Sequence, residues 1–182
     1  MLMASNLTCN SGSVEVTSMS RIAIAVDATV GSTIRRGDET AELSRDTSSE
    51  AHGAGGWPVG HGHVIDTLGA DGRPLEALVL MREPAVPGND IPAWPVAVLH
   101  LAAREQPVEE VLCVAEEPCF ADLVDVADLP RWHAQPEAWA HVLSRCAPDR
   151  AYRVSGCGPV RETDALLAEA RHAYLRFTGC ME

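Results

Sequence analysis

The sequence has no lysine; all fourteen of its basic residues are arginine. Chemistry that needs a lysine as general base, Schiff-base former or flexible phosphate hook is therefore excluded. It has no C-x-x-C pair either. The six cysteines, at 9, 113, 119, 146, 157 and 180, come no closer than six positions, a spacing that suits neither a zinc knuckle nor a dithiol redox motif and reads as free thiols in a reducing cytosol. No stretch approaches the roughly 18 apolar residues of a membrane span, and the N-terminus "MLMASNLTCNSGSVEVTSMS" lacks a basic segment followed by an apolar one. A cytoplasmic protein with no membrane partner is expected. Positive charge is scarce: the formal net charge is -12, which argues against a nucleic-acid partner, because a phosphate-binding face needs clustered cations.

What is present suits one globular unit. A chain of 182 residues that is 46% hydrophobic buries one sizeable core and is too short for two. Residues 1–19 are rich in Ser, Thr and Asn without periodicity and read as a mobile tail, leaving 20–182 as a single domain. "RIAIAVDATV" (21–30) alternates Ile22, Ile24 and Val26 with smaller residues, as a strand does. "WPVGHGHVIDTLGADGRPLEALVLM" reads as strand, turn and buried strand. "REPAVPGNDIPA" is a Pro-punctuated loop, and "WPVAVLHLAAREQPVEEVLCVA" a hairpin with an enlarged tip. The spacing predicts helices over 136–146 and 163–177, the second opening on Thr163 and Asp164 as capping residues, with the strand "AYRVSGCG" between them. Short strands without regular β-α-β alternation point to a small barrel of about five strands with helices attached.

The chemistry gathers around "ADGRPLEALVL", where Asp71, Arg73 and Glu76 fall within six positions at the mouth of a strand. Two carboxylates there suggest a divalent cation site, because hard cations want several converging oxygens. Upstream, His61 and His63 share one strand face, close to Asp66.

The order of the pieces resembles the soluble family I inorganic pyrophosphatases over about residues 21–177. The resemblance is carried by Thr67-Leu68, Asp71-Gly72-x-Pro74-Leu75, Pro87-Gly88 and Asp125-x-x-Asp128-Leu129-Pro130. It implies a mainly β fold, an OB-type five-stranded closed barrel with two flanking helices in the C-terminal half. It also implies pyrophosphate hydrolysis with magnesium ions held by carboxylates, phosphates gripped by Lys, Arg and Tyr, and a homo-oligomer.

Several family positions differ here. In the signature Asp-Gly-Asp-Pro-x-Asp the middle aspartate is Arg73 and the last is Glu76, and a cation at a metal position costs about 4 kcal/mol at 4 Å and an effective dielectric near 20. The early glutamate becomes Ala25, and the phosphate-facing tyrosine becomes His61. The two hairpin aspartates and the lysine after them become Ala103, Val108 and Glu110, and a helical Tyr-Lys pair becomes Leu143-Ser144. Arg45, with Arg35 or Arg36, keeps usable charge.

Apolar residues at such positions suggest a pocket for an organic ligand. The expected function is therefore a repurposed cleft, without metal or other cofactor, that binds or converts a largely apolar small molecule by cyclase, isomerase or lyase chemistry. His61, Asp71 and Glu76 are its acid–base candidates and Arg73 its anion stabiliser, lined by Ala25, Arg45, Trp57, His63, Ala103, Val108 and Leu143. One alternative is a residual Mg2+-dependent inorganic diphosphatase using Asp66, Asp71, Glu76 and an acidic residue near 105–110. Another is a non-catalytic binding or regulatory homologue.

Overall fold

The alternation of Ile22, Ile24 and Val26 places all three in the core and makes the first strand, β1 (Ile22–Val30). The computed structural model describes residues 20–37, 55–103 and 106–180, so the tail expected at 1–19 and Arg45 lie outside the described residues. Five strands follow: β2 (Val59–Val64), β3 (Glu76–Leu80), β4 (Asp90–Ala103), β5 (Gln106–Ala115) and β6 (Tyr152–Pro159). β1 pairs with β2 and also with β4; β2 pairs with β3, β3 with β5, and β5 with β4. Those pairings close a five-stranded ring, and β6 extends it at the edge of β4. This is the expected barrel.

Among the described residues only the β3–β5 pair is parallel. It explains the unbroken apolar run of β3: Ala77, Leu78, Val79 and Leu80 are fully buried, as in strands covered on both faces. The glycine of "HGH" has a different reason. A Cβ on Gly62 would collide with the Ala25 carbonyl where β1 bulges between Val26 and Ala28, so only glycine lets β2 approach.

Two expectations shift. The loop expected over 82–93 ends early, because Asp90–Ala93 pair with Ala25–Ile22 of β1. Pro92 lies in that strand, and its carbonyl accepts the Glu116 N–H at 2.9 Å. The second helix begins at Val160, so α2 is Val160–Phe177 and Thr163 is a fully buried residue within it. Its cap comes from elsewhere in the chain: Asp125 Oδ1 accepts the Val160 N–H at 2.9 Å and the Val126 N–H at 2.7 Å. One carboxylate thus caps α2 and the 3-10 helix Val126–Trp132, whose capping box Asp128 completes. This gives the Asp125-x-x-Asp128 motif a structural role.

The other helix, α1 (Pro136–Cys146), begins as expected with Pro136 in its first turn. It sends Trp139, Val142 and Leu143 into the core, and the Trp139 indole N–H donates to the Ala134 carbonyl at 2.9 Å. The loop from β2 to β3 is pinned by Thr67, whose hydroxyl donates to the Val64 carbonyl at 2.7 Å and accepts the Leu75 N–H at 3.1 Å. That closure sets where Glu76 enters β3.

Candidate functional site

Glu76 opens β3 immediately before Ala77, and Ala77 pairs with Val111, so the parallel register sets Glu110 of β5 beside Glu76. On the other flank β2 pairs His61 with Leu78 and His63 with Glu76. Three neighbouring strands thus bring His61, Glu76 and Glu110 together, with one ligand atom of each within 4.8 Å of the others. His61 Nε2 lies 4.0 Å from Glu110 Oε2, with side-chain exposures of 14% and 0%. Arg150, in the turn between α1 and β6, donates from Nη1 to Glu76 Oε1 at 2.7 Å and to the Tyr152 hydroxyl at 2.8 Å.

The atoms left over define the site. Both Glu110 oxygens, Glu76 Oε2 and His61 Nε2 are buried and meet no hydrogen-bond donor or acceptor among the described residues. Burying an uncompensated carboxylate costs several kcal/mol, so such a group takes up a proton or a cation. The Glu110 carboxyl is pushed up to about 8, first by burial and then by the neighbouring charge of Glu76, against a smaller pull from Arg150. His61 is lowered, chiefly by burial, so its ring stays neutral. Tyr152 is raised, again mainly by burial. Cys146, whose thiol is pushed up to about 11 by burial and then by Glu110, is no nucleophile at neutral pH.

These donors fit a divalent cation. Glu76 and Glu110 offer oxygens without competing donors, the imidazole adds a nitrogen, and Arg150 fixes one Glu76 oxygen while leaving the other free.

The remaining expected site residues spread out. Asp71 and Arg73 are exposed in the loop before β3, where Asp71 Oδ1 accepts the Arg73 N–H at 3.0 Å around Gly72, whose φ is +77°. Neither belongs to the cluster. Asp66 has φ 57° and lies beside the Tyr174 hydroxyl, so of Asp66, Asp71 and Glu76 only Glu76 joins it. His63 Nδ1 lies 3.5 Å from Asp27, and Ala25 is half-buried opposite His63. Ala103 ends β4 between Gln106 and Tyr152. Val108 and Trp57 pack against the core, Trp57 edge-on to Phe120 at 5.6 Å, and Leu143 is fully buried within it. Arg36 pairs with Asp122 at 3.1 Å.

Sequence reasoning assigned no role to Arg150 or Tyr152 and reached Glu110 only as one of the acidic residues near 105–110 in the diphosphatase alternative. A signal for Glu110 existed: consecutive strand residues point to opposite faces, so one of Glu109 and Glu110 has to face inward, at the head of a run buried from 110 to 115. Arg150 sits in a turn and carried no such signal.

A family model described as inorganic pyrophosphatase matches residues 13–175. The inorganic pyrophosphatase of Aeropyrum pernix is 32% identical over 122 residues, covering 65% of this chain and 69% of that protein. That of Gluconobacter oxydans is 31% identical over 120 residues, covering 63% and 68%. Among solved structures, the Helicobacter pylori inorganic pyrophosphatase has a TM-score of 0.61 at 20% identity, covering 88% of this chain and 99% of that one. The Trypanosoma cruzi vacuolar soluble pyrophosphatase, truncated at its N-terminal domain and in complex with PPi, has a TM-score of 0.63 at 14% identity, covering 97% and 76%. These likenesses overturn the expectation of a metal-free cleft that converts an apolar molecule by cyclase, isomerase or lyase chemistry. The relatives carry one hydrolase name, and the expectation of no cofactor fails against both that name and the carboxylate–imidazole cluster. Comparing positions one at a time registered the charges lost at 25, 103, 108 and 144 but not how Glu110 and Arg150 meet Glu76.

Proposed function

Because the chain belongs to the inorganic pyrophosphatase family, we propose that it hydrolyses inorganic pyrophosphate with a divalent metal ion held by Glu76, Glu110 and His61. The observation that carries this reading is Glu110, a fully buried carboxyl with no donor on either oxygen, set beside a second carboxylate and an imidazole in the family's barrel. When bound, such an ion supplies neutralisation of phosphate oxygens and acidification of a water. The chain's own groups supply the rest. Arg150 and Tyr152 are the cation and hydroxyl next to the cluster, and Arg150, half-exposed and tethered through Glu76, presents its free guanidinium nitrogens to an anionic substrate. In the metal-free protein Glu110 keeps its proton to about pH 8, and a bound cation would displace that proton.

The reading carries with it a small-molecule substrate, no nucleic-acid or membrane partner, and a homo-oligomer, as the resemblance implies. A reducing, cytoplasmic setting is supported by Cys113, Cys146, Cys157 and Cys180, which are free thiols. The test is phosphate release from pyrophosphate with Mg2+, Mn2+ or Co2+, with a chelated control. Metal-dependent turnover that Glu110→Gln abolishes is expected; release no faster than without protein, whatever the ion, would refute the reading.

A further inference from the structure

We propose that the His61–Glu76–Glu110 cluster is a site for a first-row transition ion, selected over Mg2+. The inference rests on the reading above only in placing that ion in the reaction cleft. Of the three ligands, Glu76 alone stands where the resemblance puts a metal carboxylate. His61 stands at the tyrosine that faces phosphate and Glu110 at the lysine of the hairpin. Two phosphate-contacting positions have thus become metal-ligating types, and the fold brings them to the retained carboxylate.

The geometry supports a built site. Glu110 is fully buried, its oxygens have no partner, and Oε2 faces His61 Nε2 at 4.0 Å. Tetrahedral ligands about 2.1 Å from one ion lie about 3.4 Å apart, so the His61–Glu110 pair, at 4.0 Å, needs a small inward rotation of its side chains to share an ion. The cluster as a whole, with its ligand atoms within 4.8 Å of one another, tightens in the same way on binding. Arg150 holds Glu76 by Oε1, leaving Oε2 free. The imidazole decides the ion. Mg2+ takes nearly all its ligands as oxygen and keeps its waters, whereas imidazole nitrogen suits Zn2+, Ni2+ and Co2+.

The test is titration of the metal-stripped protein with Co2+, followed by visible absorption, and with Mg2+, followed by calorimetry. One Co2+ per chain should bind at least about tenfold more tightly than Mg2+, without the intense near-ultraviolet band of thiolate ligation. His61→Phe, which keeps a ring and removes the nitrogen, should weaken Co2+ by about tenfold or more while moving Mg2+ by less than about threefold. Glu110→Gln should weaken both ions. Mg2+ binding as tight as Co2+, or Co2+ affinity unchanged in His61→Phe, overturns the proposal. Selective Co2+ binding without pyrophosphate hydrolysis would sink the proposed function and leave the metal site standing. Hydrolysis with Mg2+ and no Co2+ preference would do the reverse.

Discussion

Glu110→Gln should change how stability depends on pH in the metal-free protein. In the folded state the Glu110 carboxyl is raised from 4.5 to about 8, first by burial and then by Glu76. Above 4.5 the unfolded chain has released a proton that the folded protein still holds, so stability falls as pH rises and levels off above about 8. His61 works in the opposite sense. Its lowered value means that the unfolded chain takes up a proton below 6.5 that the folded protein refuses, so its contribution is lost as pH falls below 6.5. Between 6.5 and 8 Glu110 therefore acts almost alone. One pH unit per proton is worth about 1.4 kcal/mol, so the wild type should lose about 2 kcal/mol across that window. Glu110→Gln, neutral and of the same shape, should stay flat there. The assay is urea unfolding followed by tryptophan fluorescence in chelator, at half-unit pH steps, comparing midpoints at constant slope. Parallel curves for the two proteins between 6.5 and 8 would refute the reasoning, because they would mean that Glu110 is already ionised in the folded state.

Three further outcomes follow from the geometry. Asp125→Ala removes the acceptor for both Val126 and Val160 N–H groups and should cost about 1–2 kcal/mol in thermal unfolding without touching metal affinity. Arg150→Met takes the partner from Glu76 and the cation from the cleft; it should raise KM for pyrophosphate by about tenfold or more, measured in steady-state kinetics at saturating metal. Arg73→Asp, an exposed change outside the cluster, should move divalent-ion affinity by less than about threefold in calorimetry. A large gain there would restore Arg73 as a residue that excludes metal.

Much of the architecture was legible because strands and helices write local periods into the chain. Alternation marked β1, the unbroken run of Ala77–Leu80 marked a strand covered on both faces, and Trp139, Val142 and Leu143 marked the buried side of α1. Helix α2 began three residues before its apparent caps because Asp125, 35 positions away, supplies the real one. Turn and cap signals close to an element cannot report a partner that distant.

The site divides along the same line. By itself the sequence determined that no lysine is available, that Glu76 opens a buried strand after an acidic turn, and that a glutamate heads the buried half of β5. Only the tertiary structure decided which charges meet. Asp71 and Arg73, near neighbours of Glu76 in the chain, stay on an exposed loop, whereas Glu110, His61 and Arg150 reach Glu76 from three other elements. The cause is the closure of the ring through the parallel β3–β5 pair. Strand register is set by burying every apolar face at once, and that condition, rather than spacing along the chain, places Glu110 against Glu76.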